Sequence, residues 1–247
     1  SILRQMVAQY PKLNIIGGVA MIDFIEEESK LTPQSNYLEE HGIWYNDYNS
    51  AFLLNQNVEI PLYHKSKLVV GVENFPYQSV LKPIFGETLI DLGGTVALKT
   101  TQSHRSVFFG SQTSGKAAPI ICYESIYGEF VTDYVKNGAN FLAILTNDAW
   151  WQNTQGHKQL LSYARLRAIE TRRSIARSAN TGISAFINQR GDVLGSLPYD
   201  TQGSLRGTIN LNEELTFYTM SGDYLARISY FLSLFVFLYA VARKRKF

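Results

Sequence analysis

The chain has 247 residues, 45% hydrophobic and 13% aromatic, with a formal net charge of +2. That is enough apolar material for one large domain or two small ones, and too little charge for a field that would favour nucleic acid or a strongly acidic partner. A single cysteine excludes an intrachain disulfide, and the scattered His41, His64, His104 and His157 have no metal-ligand spacing, so neither a metal nor a cofactor is expected.

In chain order, residues 1–10 read as an amphipathic helix running into a strand over 13–22, not as a signal peptide. Strands follow at 51–56 and 105–109, with a helix over 77–85 between them. The apolar run 118–122 is a strand leading into a helix over 124–137. A strand at 140–146 leads into a helix over 157–173. Strands at 183–188 and 205–210 end the series, with NQRGDV (188–193) as a hairpin turn between two late strands. Strands alternating with helices, without linker or repeat, predict an α/β or α+β fold in one globular domain.

The tail differs. Tyr224 to Ala242 carries one charge, Arg227, and is followed at once by Arg243, Lys244, Arg245 and Lys246. Nineteen helical residues span roughly 28 Å, close to the hydrocarbon thickness of a bilayer. A buried core helix is the alternative. Apolar character on all faces, with Tyr224, Tyr230 and Tyr239 toward the ends, favours a transmembrane helix. The expected division is a globular domain over 1–222 and a membrane helix over 223–247. The positive-inside rule puts Phe247 in the cytoplasm and everything before Tyr224 on the other side.

Cys122 stands where an apolar strand gives way to a helix. A thiol on such a turn lies over a helix N-terminus, whose partial charge favours a thiolate, and the Tyr123 N–H is available to an oxyanion. The competing reading is a small buried hydrophobe. Lys65 and Lys67 are both open to a solvated reading, and either could point inward. Glu73 and Glu124 read by default as surface carboxylates. Asp148 falls at the C-terminal end of a strand, where site residues gather in sheet proteins. His157 and His104 are the rival bases for a Cys–His mechanism. Phe108 and Phe109 read as core. Trp150 and Trp151, together with Phe75-Pro76-Tyr77, read either as packing or as an exposed aromatic surface, which the resemblance given below would make an acyl-chain surface. Arg167 and Glu170 are spaced for a structural pair on a helix surface.

In order, KSKLVVGVENFPY (Lys65–Tyr77), PIICYES (Pro119–Ser125), LTNDAWW (Leu145–Trp151), ARLRAIETRRSIARSANTGISAFI (Ala164–Ile187) and the tail resemble the nitrilase, or carbon–nitrogen hydrolase, superfamily. Within it, the set is most similar to the apolipoprotein N-acyltransferases. The resemblance implies a nitrilase-like α-β-β-α sandwich plus one C-terminal transmembrane helix. It puts the nucleophile on Cys122 and the catalytic lysine on Lys65. It matches Glu73 to the glutamate of the lysine block, and Tyr123 and Glu124 to the positions after the cysteine. Asp148, Trp150 and Trp151 are candidate substrate contacts. Val70, Gly71 and Val72 stand where the family has Pro-Phe-Gly, and Asn74 precedes Phe75. The family's general base is a glutamate upstream of the segment matching NIIGGVA. Glu26, Glu27 and Glu28 come after that strand, so the expectation is that the chain starts past the base and is inactive alone.

The activity so implied is acyl transfer from a phospholipid to the N-terminal amine of a lipid-modified lipoprotein, through a cysteine thioester. The implied location is the bacterial inner membrane, with the catalytic domain in the periplasm and the C-terminus in the cytoplasm. Two alternatives are a soluble amidase acting on a small amide and an inactive membrane-tethered binding domain.

Overall fold

A computed structural model of the protein describes residues 1–70, 73 and 98–244. The helix expected over 77–85, the substituted Gly71 and Val72, the Asn74–Tyr77 stretch, and Arg245, Lys246 and Phe247 lie outside the described residues.

Two sheets form the body. The first holds β1 (Ile15–Ile25), β2 (Asn36–Leu38), β3 (Ile43–Leu54) and β4 (Leu62–His64), with β3 paired antiparallel to the other three. The β1–β3 ribbon runs unbroken from Ile15 opposite Leu54 to Ile25 opposite Trp44. The second sheet has the order β10-β9-β8-β7-β6-β5, built from β5 (Phe108–Phe109), β6 (Lys116–Ile121), β7 (Phe141–Thr146), β8 (Ile175–Ala179), β9 (Ser184–Ile187) and β10 (Val193–Leu197). Its centre, β6-β7-β8, is parallel, and the outer pairings are antiparallel.

The centre is parallel because helical crossovers return each strand in the same direction, and its faces are covered as a result. Ala117, Ala118 and Ile120 on β6 and Leu142 and Ile144 on β7 are buried whichever way they point. Strands covered on both faces read as continuous apolar runs rather than alternating ones. Ala51 and Leu53 of β3 join the same core cluster, as do Phe130, Val131 and Tyr134 of helix α2 (Gly128–Lys136) and Ala164 and Ala168 of helix α3 (Gln155–Thr171). On α3, His157, Leu160, Ala164, Ala168 and Thr171 recur at helical spacing and are buried, and the Thr154 hydroxyl caps the helix by accepting from the Gly156 N–H. The remaining helices are α1 (Ile2–Gln9), α4 (Phe217–Ser221) and α5 (Tyr224–Lys244).

Four differences from the sequence reading have physical causes. The segment 205–210 forms no strand: Gly207 lies against the Phe186 ring and Leu205 approaches Gly195, so this stretch packs on side chains rather than on a ladder. Strands β2, β4, β8 and β10 were not foreseen, because they are short or carry polar residues. Phe108 is core, but Phe109, its neighbour on a two-residue strand, points the other way and is exposed. The helix after Cys122 is split between a short 3-10 turn and α2. The hairpin turn at 188–193 does join β9 to β10, with the Asn188 side chain accepting from the N–H groups of Arg190 and Asp192.

α5 is a helix long and apolar enough to cross a membrane, and its apolar window has no share buried against the body. In the body, the buried pair Asp148–Arg177 ties the end of β7 to β8. The Arg177 guanidinium donates to Asp148 at 2.7 Å and also to the Ile183 carbonyl, while the Thr146 hydroxyl donates to the other Asp148 oxygen at 2.6 Å. Breaking such a pair leaves one buried charge uncompensated. Arg177→Met is expected to lower stability by about 3–5 kcal/mol. Adding Asp148→Leu to it should recover part of that loss, measured by thermal unfolding in detergent. An Arg177→Met protein as stable as wild type would contradict the pairing.

Candidate active site

Strand β6 ends at Ile121, and the next residue, Cys122, has a φ of +50°. A non-glycine residue in the left-handed region is uncommon, and such strain gathers at functional sites. The chain turns there into a 3-10 helix, Cys122–Ile126, whose Ser125 hydroxyl donates to the Cys122 carbonyl at 2.8 Å. The thiol is half-buried and unpaired. Tyr123, in the first turn, has an N–H with no intrahelical acceptor. The helix dipole at the thiol is short, however: α2 begins only at Gly128, so the thiol meets a five-residue turn rather than a long helix.

Glu124, two residues on, is wholly buried. Its Oε1 accepts from the Tyr63 hydroxyl at 2.6 Å, the Ser66 N–H at 2.6 Å and the Lys67 N–H at 3.3 Å. Its Oε2 accepts from the Ile121 N–H at 2.8 Å. Burial pushes the Glu124 carboxyl up, while the Tyr63, Ile121 and Ser66 hydrogen bonds and the Lys65 charge pull it back. The same burial, with the Glu124 charge, raises the Tyr63 phenol. Glu124 is therefore a clamp that fastens the end of β4 to the elbow carrying Cys122.

That clamp positions Lys65. Of the two candidate lysines, Lys65 points inward and is buried, whereas Lys67 is exposed, with its ammonium 5.7 Å from the Tyr127 ring centre. The Lys65 ammonium donates to Glu73 Oε2 at 2.6 Å and Oε1 at 2.9 Å. Glu73 is held in turn by the Asn49 amide at 2.6 Å and the Val69 N–H at 2.8 Å. Six donors on Glu124 and Glu73 thus come from the backbone or from neutral side chains, and among the described residues the only charged donor is Lys65.

The other candidates fall elsewhere. Asp148 stands at the end of β7 as expected, but its carboxylate is consumed by Arg177 and Thr146, which makes it an anchor for the loop behind it. Trp150 is 76% exposed and Trp151 is 40% exposed on the 3-10 turn Ala149–Trp151. His157 is buried, with Nδ1 3.2 Å from the Gln152 carbonyl and its ring 4.4 Å from that of Tyr199, and neither it nor His104 hydrogen-bonds Cys122. Arg167 and Glu170 do pair, at 2.8 Å, but Arg167 is buried rather than on a helix surface. Sequence reasoning missed Tyr63, Asn49 and Arg177. Tyr63 could have been found: it precedes Lys65 by two, so a strand there puts both on one face.

A family model described as carbon-nitrogen hydrolase matches residues 7–214. The chain belongs to the carbon-nitrogen hydrolase family. Among curated relatives of this carbon-nitrogen hydrolase are the apolipoprotein N-acyltransferases of Chlorobaculum tepidum, 32% identical over 207 residues (83% of this chain, 39% of the relative), and of Haemophilus influenzae, 32% identical over 195 residues (74% and 36%). The chain thus spans under half the length of these relatives. Among solved structures, an amidase from Nesterenkonia sp. superposes with a TM-score of 0.51 at 16% identity, over 81% of this chain and 60% of the amidase. A cysteine-to-serine mutant of an amidase from the nitrilase superfamily reaches 0.53 at 13% identity, over 93% and 70%. These support the nitrilase-like α/β fold.

The clamp predicts a cost for an isosteric change. Glu124→Gln must point its NH₂ at a backbone N–H, either that of Ile121 or that of Ser66. It is expected to destabilise the body by about 2–3 kcal/mol. Thermal unfolding checks this, and an unchanged midpoint would show that the carboxylate is not the clamp.

Proposed function

We propose that this carbon-nitrogen hydrolase is the catalytic part of an enzyme that moves an acyl chain from a phospholipid to the N-terminal amine of a lipid-modified lipoprotein. The observation that carries the reading is the elbow cysteine, joined through Glu124 to a buried Lys65–Glu73 pair, on a body that bears an exposed apolar helix. Relatives named apolipoprotein N-acyltransferase supply the substrate classes.

In this reading the Cys122 thiolate attacks the ester carbonyl of the phospholipid. The Lys65 ammonium and the Tyr123 N–H stabilise the tetrahedral oxyanion. The lysophospholipid leaves with the proton taken from the thiol, and a thioester remains on Cys122. The acceptor amine then attacks the thioester, gives its proton to the base and displaces the thiolate, leaving an amide. Glu73 holds the ammonium in place. The proton acceptor is neither Glu73 nor Glu124, because both carboxylates are already committed to other donors.

Residues 1–222 form the catalytic domain and 223–247 the membrane segment, with the body on the periplasmic side of a bacterial inner membrane and the basic C-terminus in the cytoplasm. Trp150 and Trp151, exposed after β7, would meet the acyl chain or the lipid surface. The exposure of α5 favours this reading over a soluble amidase, because an apolar helix with no share in the core needs a non-aqueous surrounding.

Intact-mass measurement of the full-length protein incubated with phospholipid is expected to show a thioester-labile acyl adduct. Cys122→Ala should abolish it, and absence of the adduct on folded, membrane-inserted wild type would overturn the proposal. Lys65→Met should slow adduct formation by on the order of 10²–10³-fold. Lys65→Arg should not restore it, since a planar guanidinium does not replace a point charge on Glu73.

A further inference from the structure

One face of the β1–β3 ribbon starts at the site and runs away from it. Directly paired residues share a face, so Ala20 goes with Asn49, Ile22 with Asp47 and Phe24 with Tyr45. Asn49 belongs to the site: its carbonyl accepts from the Lys65 N–H at 2.8 Å, and its amide holds Glu73. From Asn49 outward to Ile43 the strip is about 20 Å long, the reach of about six extended residues. On it Ile22 is 58% exposed, Phe24 59% and Ile43 41%. The carboxylate within the strip, Asp47, is met by the Lys99 ammonium at 2.8 Å on both oxygens, which leaves the strip apolar and neutral.

The far end is charged. Beyond the last β1–β3 pair, Ile25 with Trp44, come Glu26, Glu27 and Glu28. Beyond the pair Leu38 with Ile43 comes the turn that holds Glu39 and Glu40. Residues 22–44 carry six carboxylates and one ammonium, in a chain whose net charge is +2. All five glutamates are exposed, and among the described residues only Glu27 has an ion pair, with Lys30.

This layout discriminates between occupants. An acyl chain seated on the strip would run its methyl end into a hydrated rim of carboxylates, which hydrocarbon avoids. An anionic lipid surface would be repelled by the same rim. A peptide that enters the site amine first is matched to both parts. Its α-amino group carries positive charge at neutral pH, so the rim draws it toward the strip. Its next side chains cover Ile22 and Phe24, and basic residues further on reach the glutamates.

We propose that this strip is the docking surface for the acceptor polypeptide. The chain just after the acceptor amine lies along Ile22, Phe24 and Ile43, and the five glutamates favour basic residues within about six positions of that amine. The inference rests on the reading of Cys122 as the acyl-transfer nucleophile, so its test separates docking from chemistry.

Fluorescent lipopeptides with a diacylglyceryl cysteine at a free N-terminus, followed either by Ser-Lys-Lys-Lys or by Ser-Glu-Glu-Glu, are titrated by anisotropy into full-length Cys122→Ala protein in neutral detergent. The lysine peptide is expected to bind on the order of tenfold tighter at low salt. The gap should shrink to about twofold at about 0.5 M salt, where exposed charges are screened. Glu26→Gln, Glu27→Gln, Glu28→Gln, Glu39→Gln and Glu40→Gln together should bring the two peptides to parity, and Phe24→Ser should weaken both by about fivefold. In a second arm the cysteine is restored, and acyl-enzyme formation from phospholipid alone is followed by intact mass. Neither the glutamine set nor Phe24→Ser should change that rate, and unchanged unfolding midpoints show that both variants are folded. Equal binding of the two peptides at low salt overturns the proposal, as does a preference that survives the glutamine set. Phe24→Ser that slows acyl-enzyme formation and spares peptide binding gives the strip to the donor's acyl chain and overturns it too. So does a dimer, seen by sedimentation, that Phe24→Ser dissociates, because a second copy then holds the strip. If no acyl-enzyme forms on wild type, the acyl-transfer reading fails, while the anisotropy arm still decides the strip.

Discussion

A single buried carboxylate holds the site of this protein together. Glu124 accepts from Tyr63 and Ser66, which lie 61 and 58 residues earlier in the chain, and from Ile121 in its own turn. The lysine follows a strand of one sheet and the thiol a strand of the other, and among the described residues nothing else joins the two segments by so many hydrogen bonds. Placing a carboxylate in a dry interior is unfavourable unless its lone pairs are met. Here they are met by donors that come from both sides of the joint. The same bonds fix the backbone on each side of Cys122, including the left-handed conformation that a residue with a Cβ does not adopt without support.

The distribution of carboxylates follows from that joint. Glu73 takes the Lys65 ammonium, together with the Asn49 amide and the Val69 N–H. Glu124 takes the neutral donors. Each acid is thereby committed to holding its neighbours, and the Lys65 ammonium is fixed by both Glu73 oxygens. Asp148, at the end of the next strand, is occupied in the same way by Arg177 and Thr146. All three acids are thus taken up by donors that hold the surrounding chain in place.

Much of this was readable from the residues alone, and the reason is burial. The run Ala118–Ile121 announces a central strand because both of its faces are covered, and that strand delivers Cys122 to its end. The tail was readable because it is apolar on every side. The polar partners were not. Asn49 sits in the middle of β3, whose polar half looks like a loop in sequence, so only 51–56 stood out as strand. Arg177 lies on β8, where a charged residue among IARSA hides the strand altogether. The long helix expected from 124 onward failed for a related reason: Glu124 and Ser125 turn back onto the elbow instead of starting a regular helix, and α2 begins only after Tyr127. Sequence periodicity reports which side faces the core. It is silent on which polar atom meets which.

The independence of α5 from the core sets what variation each part of the chain can absorb. No residue of its apolar window is wedged into the body, so exchanging one aliphatic side chain for another there disturbs no neighbour in the globular part. The body is the opposite case, with alanines at 117, 118, 164 and 168 filling space that a larger group would overfill. Drift in the two segments therefore obeys different rules. The helix needs length and an apolar stretch beyond Arg227, whereas the body needs matched volume at each buried position.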